Sequence, residues 1–363
     1  MTNSILRILN NFFSSQSRCY MDKEISEESH ITEKLIRKYI KLNFNIDIEI
    51  PQDIKHIVLI ASGSSYHCAA IVSDFINSKI HSFSDVYYSS EVCLNKDYKI
   101  SDNTLYIFIS QSGETKDTNE AFNLIASKTK NTFAITNTKN SNLYDNCRYK
   151  ILTDAGSERA IASTKAMCAQ TFCLFLTILK IMQNLGIDTK IYVEYLLKVP
   201  SSIDNALAKS KELKQFSKIF AQNGSIILLA NGSFYRLAKE GALKIRETSY
   251  LNSFACPMGE FLHGHMAILN NKSSVIFIVN KDNIELTKNV INRLEENYKF
   301  DKLIISDSQT NDFNKKDTIV LNSENYFSYL FSCLTILQLC ALQISEILNR
   351  NTDKPSGLSK VVK

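Results

Sequence analysis

"IVLIASGSSYHCAA" at residues 57–70 and "IILLANGSFYRLAK" at residues 226–239 stand at an offset of 169 residues. Each opens on a short apolar run, turns through a Gly-Ser step and continues in residues suited to a helix. That is the signature of strand, loop and helix. At the same offset "TLYIFISQ" at 104–111 falls on "SSVIFIVN" at 273–280, so one register holds over about 50 residues. A fixed long offset marks a duplicated domain. "VYYSSEV", "TFAIT" and "YKILT" read as further short strands alternating with helical stretches. Repeated strand–helix–strand units give a parallel sheet with helices on both faces, so the expected class is α/β.

Pro200, in "EYLLKVPSSID", marks the expected boundary between the copies. The chain then divides into an N-terminal helical segment (1–50), a first domain (51–199), a second domain (200–348) and a tail (349–363). "MDKEISEESHITEKLIRKYI" in the first segment is acidic, with apolar residues at helical spacing.

A length of 363 residues suits two domains, and 44% hydrophobic with 22% charged residues suits a globular core. The net charge of +5 arises from Lys and Arg interleaved with Asp and Glu. It fits an anionic small substrate and argues against a nucleic-acid partner. Nine cysteines, an odd number with no CxxC spacing, suggest free thiols in a reducing cytoplasm rather than disulfides or zinc. Residues 1–21 carry two arginines and no acid, faintly like a transit peptide, although an ordinary amphipathic helix is the simpler reading. The run 326–345 has no charge, but Gln338, Gln343 and several hydroxyls make it a buried core helix rather than a membrane span.

The two copies differ where the third strand ends. The first continues in "SQSGETKDT" (110–118), the second in "NKDNIE" (280–285). Ligands of open α/β sheets bind beyond the carboxyl ends of the strands. There Ser110, Gln111, Ser112 and Thr115 offer neutral donors, and Gly113 permits close backbone approach. "SGSS" at 62–65 and "IASTK" at 161–165 add two more hydroxyl-bearing turns. One such turn alone is most simply a helix cap, whereas three in one copy point to an anion such as a phosphate monoester. No GxxxxGK[ST] phosphate loop occurs.

In the second copy Glu240, Lys244 and Glu247 fall at i, i+4 and i+7 of a helix, on one face. That spacing also suits a solvated ion-pair face, but the intervening residues Gly241, Ala242, Leu243 and Ile245 are small or apolar. "HGH" at 263–265 places two histidines, able to move protons near neutral pH, beside a glycine. It lacks the helical HExxH spacing of a metal site, and no metal or other cofactor is expected. By composition alone "NTDKPSGLSKVVK" is a frayed tail.

Taken in order, "SGSSY", "SQSGETKDT", "GSERAIASTKA", "EGALKIRETSY", "GEFLHG" and "DKPSGLSK" resemble the double sugar-isomerase (SIS) module. That module occurs in glutamine–fructose-6-phosphate amidotransferases and in stand-alone SIS deaminases and deglycases. The resemblance covers nearly all of the chain from about residue 20. It implies two tandem flavodoxin-like SIS domains in a homodimer. It assigns the sugar phosphate to Ser110, Gln111, Ser112 and Thr115, with Ser64 and Ser65 contributing and Ser163 reaching the sugar. Glu247 would carry the proton between C1 and C2, and His263, supplied by the second copy of the chain, would open the ring. Lys360 would form a Schiff base or stabilise charge, with Glu240 and Lys244 in support. His265 stands where the family commonly has proline.

The chain begins "MTNS", without a cysteine after the initiator Met, and no ammonia-releasing domain fits before residue 50. Glutamine hydrolysis is therefore not expected. The resulting expectation is conversion of glucosamine 6-phosphate to fructose 6-phosphate and ammonia. The alternatives are a fructosamine-6-phosphate deglycase, ammonia-dependent synthesis of glucosamine 6-phosphate, and a non-catalytic sugar-phosphate sensor. Neither nucleic acid nor membrane is an expected partner.

Overall fold

The computed structural model describes residues 19–80, 83–95 and 98–360. The leader-like composition noted above lies mostly in residues 1–18, outside the described residues. Two short helices come first, α1 (Tyr20–Ser26) and α2 (Glu28–Tyr39). The first repeat runs β1 (His56–Ala61), α3 (Gly63–Lys79), β2 (Phe83–Tyr88), α4 (Ser89–Leu94), β3 (Thr104–Ile109), α5 (Lys116–Ala126), β4 (Thr132–Thr136), α6 (Asn142–Asn146) and β5 (Tyr149–Leu152). Helices α7 (Lys165–Asn184), α8 (Lys190–Leu196), α9 (Val199–Ala208) and α10 (Ser210–Phe220) follow. The second repeat runs β6 (Ser225–Ala230), α11 (Gly232–Ser249), β7 (Asn252–Pro257), α12 (Met258–Phe261), β8 (Ser273–Val279), α13 (Ile284–Glu295), β9 (Asp301–Ser306), β10 (Thr318–Val320) and α14 (Tyr326–Ile347).

Each repeat forms a five-stranded, all-parallel sheet. The orders, β2-β1-β3-β4-β5 and β7-β6-β8-β9-β10, are the same doubly wound topology. The register is stricter than the sequence match. His56 and Ser225, Phe83 and Asn252, Thr104 and Ser273, Thr132 and Asp301, and Tyr149 and Thr318 each open equivalent strands, all 169 residues apart. Even the turn geometry repeats, since Gly63 and Gly232 open α3 and α11 with φ of +57° and +55°. Every residue of β3, β4 and β8 is buried, as a sheet covered on both faces requires.

Two local expectations change. "SSEV" begins helix α4 rather than continuing a strand, with the Ser89 hydroxyl buried against Thr118 Oγ1 at 3.0 Å. Ser62, at the N-cap of α3, makes no side-chain cap bond. Pro200 lies in the first turn of α9, where its missing N–H costs nothing, within the run of four helices between β5 and β6.

Helices α3 and α11 pack against each other between the sheets, and α14 covers α9, α10 and α11. The uncharged run 326–345 lies in α14, which is buried within the fold, and α7 is nearly as buried. Gly241 sets the approach of α11 to this core. A Cβ there would meet Leu337 Cδ1 at 2.8 Å and Leu228 Cδ2 at 3.0 Å. All nine cysteines are free, seven of them buried.

Glu28, the first residue of α2, is wholly buried. Thr335 Oγ1 donates to its Oε2 at 3.3 Å. Its Oε1 and the Oε1 of Gln338 are buried acceptors without donors. Burial pushes the Glu28 carboxyl up to about 8, outweighing the lowering influence of Gln338 and Thr335. A protonated Glu28 donating to Gln338 satisfies both orphaned oxygens at once.

Candidate active site

The hydroxyl cluster after β3 is internally ordered. Ser110 Oγ lies 2.9 Å from Thr115 Oγ1 and accepts from Gly113 N at 3.1 Å, while Ser112 Oγ accepts from Glu114 N at 3.1 Å. The Gln111 carbonyl accepts from Asn137 N at 3.0 Å and Thr136 Oγ1 at 3.3 Å. Thr115 is the N-cap of α5. Gly113 is required twice over, by a φ of +69° and by Ser141 Oγ 2.1 Å from where a Cβ would stand. In the adjacent loop after β1, Ser65 Oγ donates to Gln170 Oε1 at 2.9 Å and Ser64 hydrogen-bonds Glu240. These loops follow β1 and β3, neighbouring strands on either side of the first sheet's topological switch point.

Glu240 and Lys244, each 1% exposed, form an ion pair on α11 at 3.4 Å, and Lys244 Nζ also donates to Glu247 Oε2. Burial would raise the Glu240 carboxyl, but Lys244, with His67 and Ser64 donating, holds it down at about 2. Burial would lower the Lys244 ammonium, but Glu240 and Glu247 raise it instead. The alternative of a solvated ion-pair face is therefore wrong for this triad, of which only Glu247, 23% exposed, meets solvent. His67 was not anticipated. It comes from α3 of the first repeat, and its Nδ1 lies 2.7 Å from Glu240 Oε2.

The segment 156–166 and the tail form the third part. Glu158 Oε1 accepts from Thr164 N and Ala166 N, both at 3.0 Å, at the start of α7. Its Oε2 accepts from Ser163 Oγ at 3.2 Å and from Lys360 Nζ, and Lys360 Nζ also donates to Ala160 O at 2.7 Å. Glu158 also acts electrostatically on Lys244, which ties the tail to the α11 triad. Glu24 Oε1 accepts from Arg159 N at 2.5 Å, and Lys165 pairs with Glu27 at 2.6 Å, so α1 and the residue that joins it to α2 brace the same segment. Burial pushes the Glu24 carboxyl up to about 7 against the lowering effect of that backbone bond. The tail is fastened: Asp353 accepts from Tyr20 N and Met21 N at 2.9 Å each, its carbonyl accepts from Ile161 N at 2.9 Å, and Tyr250 OH accepts from Ser356 N at 2.6 Å.

Sequence reasoning missed Glu158, His67 and Glu24. Glu158 lay inside a quoted motif, and its place just before a long helix signalled a cap. His67 was signalled only as an imidazole in the apolar stretch "HCAAIV". His263 is exposed on the loop after α12, and no hydrogen bond of its side chain reaches the other candidates among the described residues.

Two segments, 52–180 and 219–342, match the family model described as the SIS domain, and together they cover most of the chain. The chain belongs to the SIS family. Its two sheets are two tandem SIS domains. It is 31% identical over 359 residues to the isomerizing glutamine–fructose-6-phosphate aminotransferase of Campylobacter jejuni, covering 95% of this chain and 58% of the relative. The Escherichia coli enzyme of the same name is 29% identical over 95% of this chain and 59% of its own length. This SIS chain thus spans little more than half of these relatives. Among solved structures, the C-terminal domain of glucosamine-fructose-6-phosphate aminotransferase from Francisella tularensis superposes with a TM-score of 0.85 at 26% identity, over 93% of this chain and 98% of that one. Glucosamine-6-phosphate deaminase from Thermotoga maritima shares the fold, with a TM-score of 0.74 at 20% identity over 95% of this chain and 99% of that one.

Proposed function

We propose that this SIS chain converts glucosamine 6-phosphate and water to fructose 6-phosphate and ammonia. The observation that carries the reading is the α11 triad. Burying Lys244 with Glu240 costs desolvation that a packed apolar core would avoid, which favours a role beyond packing. Here Lys244 holds Glu247, the one member open to solvent.

The phosphate sits on Ser110, Gln111, Ser112 and Thr115, with Ser64 and Ser65 at its edge, and anchors the sugar away from the reacting carbons. Ser163 holds the sugar. His263 of a second copy in a homodimer assists ring opening. Glu247 takes the C2 proton of the open-chain aldehyde and returns it to C1, while a proton passes from nitrogen to O1. The product of this shift is a C2 ketimine, which water hydrolyses to the ketone and ammonia. Lys360, kept beside the sugar by Glu158, stabilises developing negative charge or forms a transient imine. The shuttle calls on no metal or organic cofactor.

Ammonia release from glucosamine 6-phosphate tests the reading. Wild-type release no greater than that of Glu247→Gln overturns it. The names of the aminotransferase relatives favour a second reading of the same site, in which ammonia and fructose 6-phosphate are condensed in the reverse direction. Assaying both directions in one buffer separates the two.

A further inference from the structure

His67 and Arg236 stand 169 residues apart, at equivalent positions of the paired helices α3 and α11. Each reaches across to an acid on the other helix. Arg236 Nε lies 3.6 Å from Asp74 Oδ2, and both side chains are about a third exposed, at 39% and 30%. His67 Nδ1 lies 2.7 Å from Glu240 Oε2, and these side chains are 10% and 1% exposed. Duplication therefore left two cross-domain bridges, one near solvent and one buried.

We propose that His67 is a positioning residue for the reaction, setting the direction in which Lys244 leans and so the placement of Glu247. Glu240 is an ionised carboxylate and can only accept, so His67 Nδ1 carries the proton and donates. That bond occupies Glu240 Oε2. Lys244 is then left with its longer contact to Glu240 Oε1 and its shorter one to Glu247. Without His67, the fully buried Glu240 carboxylate has a single neutralising cation, Lys244, on its own face of α11. Glu247 is 23% exposed and can be solvated instead, so electrostatics draws the ammonium inward and Glu247 is released. His67 lies one turn beyond Ser64 and Ser65 in α3, so the phosphate loop and the base are joined by a rigid path from Ser64 and His67 through Glu240 and Lys244 to Glu247. Remote binding is thereby delivered to the reacting carbons as orientation.

The proposal rests on the reading of Glu247 as the base, and its test keeps the two apart. His67→Phe removes the donor. His67→Asn replaces Nδ1 with an amide donor at the same reach. Arg236→Gln removes the equivalent bridge and serves as the structural control. A buried hydrogen bond to a charge, fully transmitted, corresponds to roughly a ten- to hundredfold change in rate. His67→Phe is expected to lower kcat by that factor with KM for glucosamine 6-phosphate nearly unchanged. His67→Asn recovers most of kcat, and Arg236→Gln lowers the melting temperature while leaving both kinetic constants in place. His67→Ala gives the same readouts if the larger ring is not accommodated. Equal losses in the Phe and Asn variants, or a fall in melting temperature alone, overturn the proposal. A crystal structure of the substituted protein reads the relay without turnover. Lys244 Nζ should move from Glu247 toward Glu240, and an unmoved Lys244 overturns the proposal. A moved Lys244 in a protein whose wild type turns over no sugar phosphate instead overturns the reaction and leaves the relay standing.

Discussion

Glu28→Gln should stabilise this protein at alkaline pH and leave it nearly unchanged at pH 5. The folded carboxyl is raised from the ordinary 4.5 to about 8 by burial, so between those values the folded state holds a proton that the unfolded chain has lost. Stability therefore falls as pH rises from about 4.5 through 8, and is unaffected below 4.5, where both states are protonated. At about 1.36 kcal/mol per unit, the penalty reaches about 5 kcal/mol when fully developed, of which about 4 kcal/mol accumulates between pH 5 and 9. The amide of the variant keeps an acceptor for Thr335 Oγ1 and supplies donors to Gln338 Oε1, but cannot ionise. Thermal melts of both proteins at pH 5, 7 and 9 measure the effect. The difference in melting temperature should widen by roughly 8 °C from pH 5 to 9, taking about 2 °C per kcal/mol for a chain of this size. Glu24, Glu240 and every other titrating group are common to both proteins and cancel. A difference that stays constant across the range would show that Glu28 does not hold its proton and would refute the assignment.

Two further outcomes follow from the geometry around the site. Gly113→Ala places a Cβ 2.1 Å from Ser141 Oγ at a φ of +69°, so the loop must shift. It should cost about 1–3 kcal/mol of stability and raise KM for the sugar phosphate about tenfold or more, read by melting and steady-state kinetics. Asp353→Ala removes the carboxylate that accepts from Tyr20 N and Met21 N. It should cost about 1–2 kcal/mol, accelerate amide exchange at the start of α1 and lower kcat through Lys360. Unchanged exchange there would contradict the capping role.

The parts of this fold that depend on neighbours in sequence were legible. Strand–loop–helix units follow from local alternation and small turn residues, and the offset of 169 already announced the duplication. The hydroxyl cluster was legible because Ser110, Gln111, Ser112 and Thr115 form a single loop. The remainder depends on partners that no local pattern links. Lys360 and Glu158 are 202 residues apart, and His67 and Glu240 are 173 apart. Neither separation leaves a periodic trace. Helix α4 escaped for another reason. "VYYSSEV" is β-branched and aromatic at its start, and only the burial of Ser89 and Val92 against the following unit turns its end into a helix.

The bonds from Tyr20 and Met21 to Asp353 span 333 and 332 residues. Peripheral segments ordinarily open first and at little free energy. In this chain α1 and the tail form one clasp, because α1 is capped by Asp353 and the tail is held by α1 and by Ile161. If the tail peels away, Tyr20 N and Met21 N lose their acceptor, and if α1 leaves, the Asp353 carboxylate loses both donors. Lys360 therefore belongs to a cooperative unit that includes a helix more than 300 residues before it. Its availability to a ligand is governed by the opening of that unit as a whole, not by the fraying of a tail.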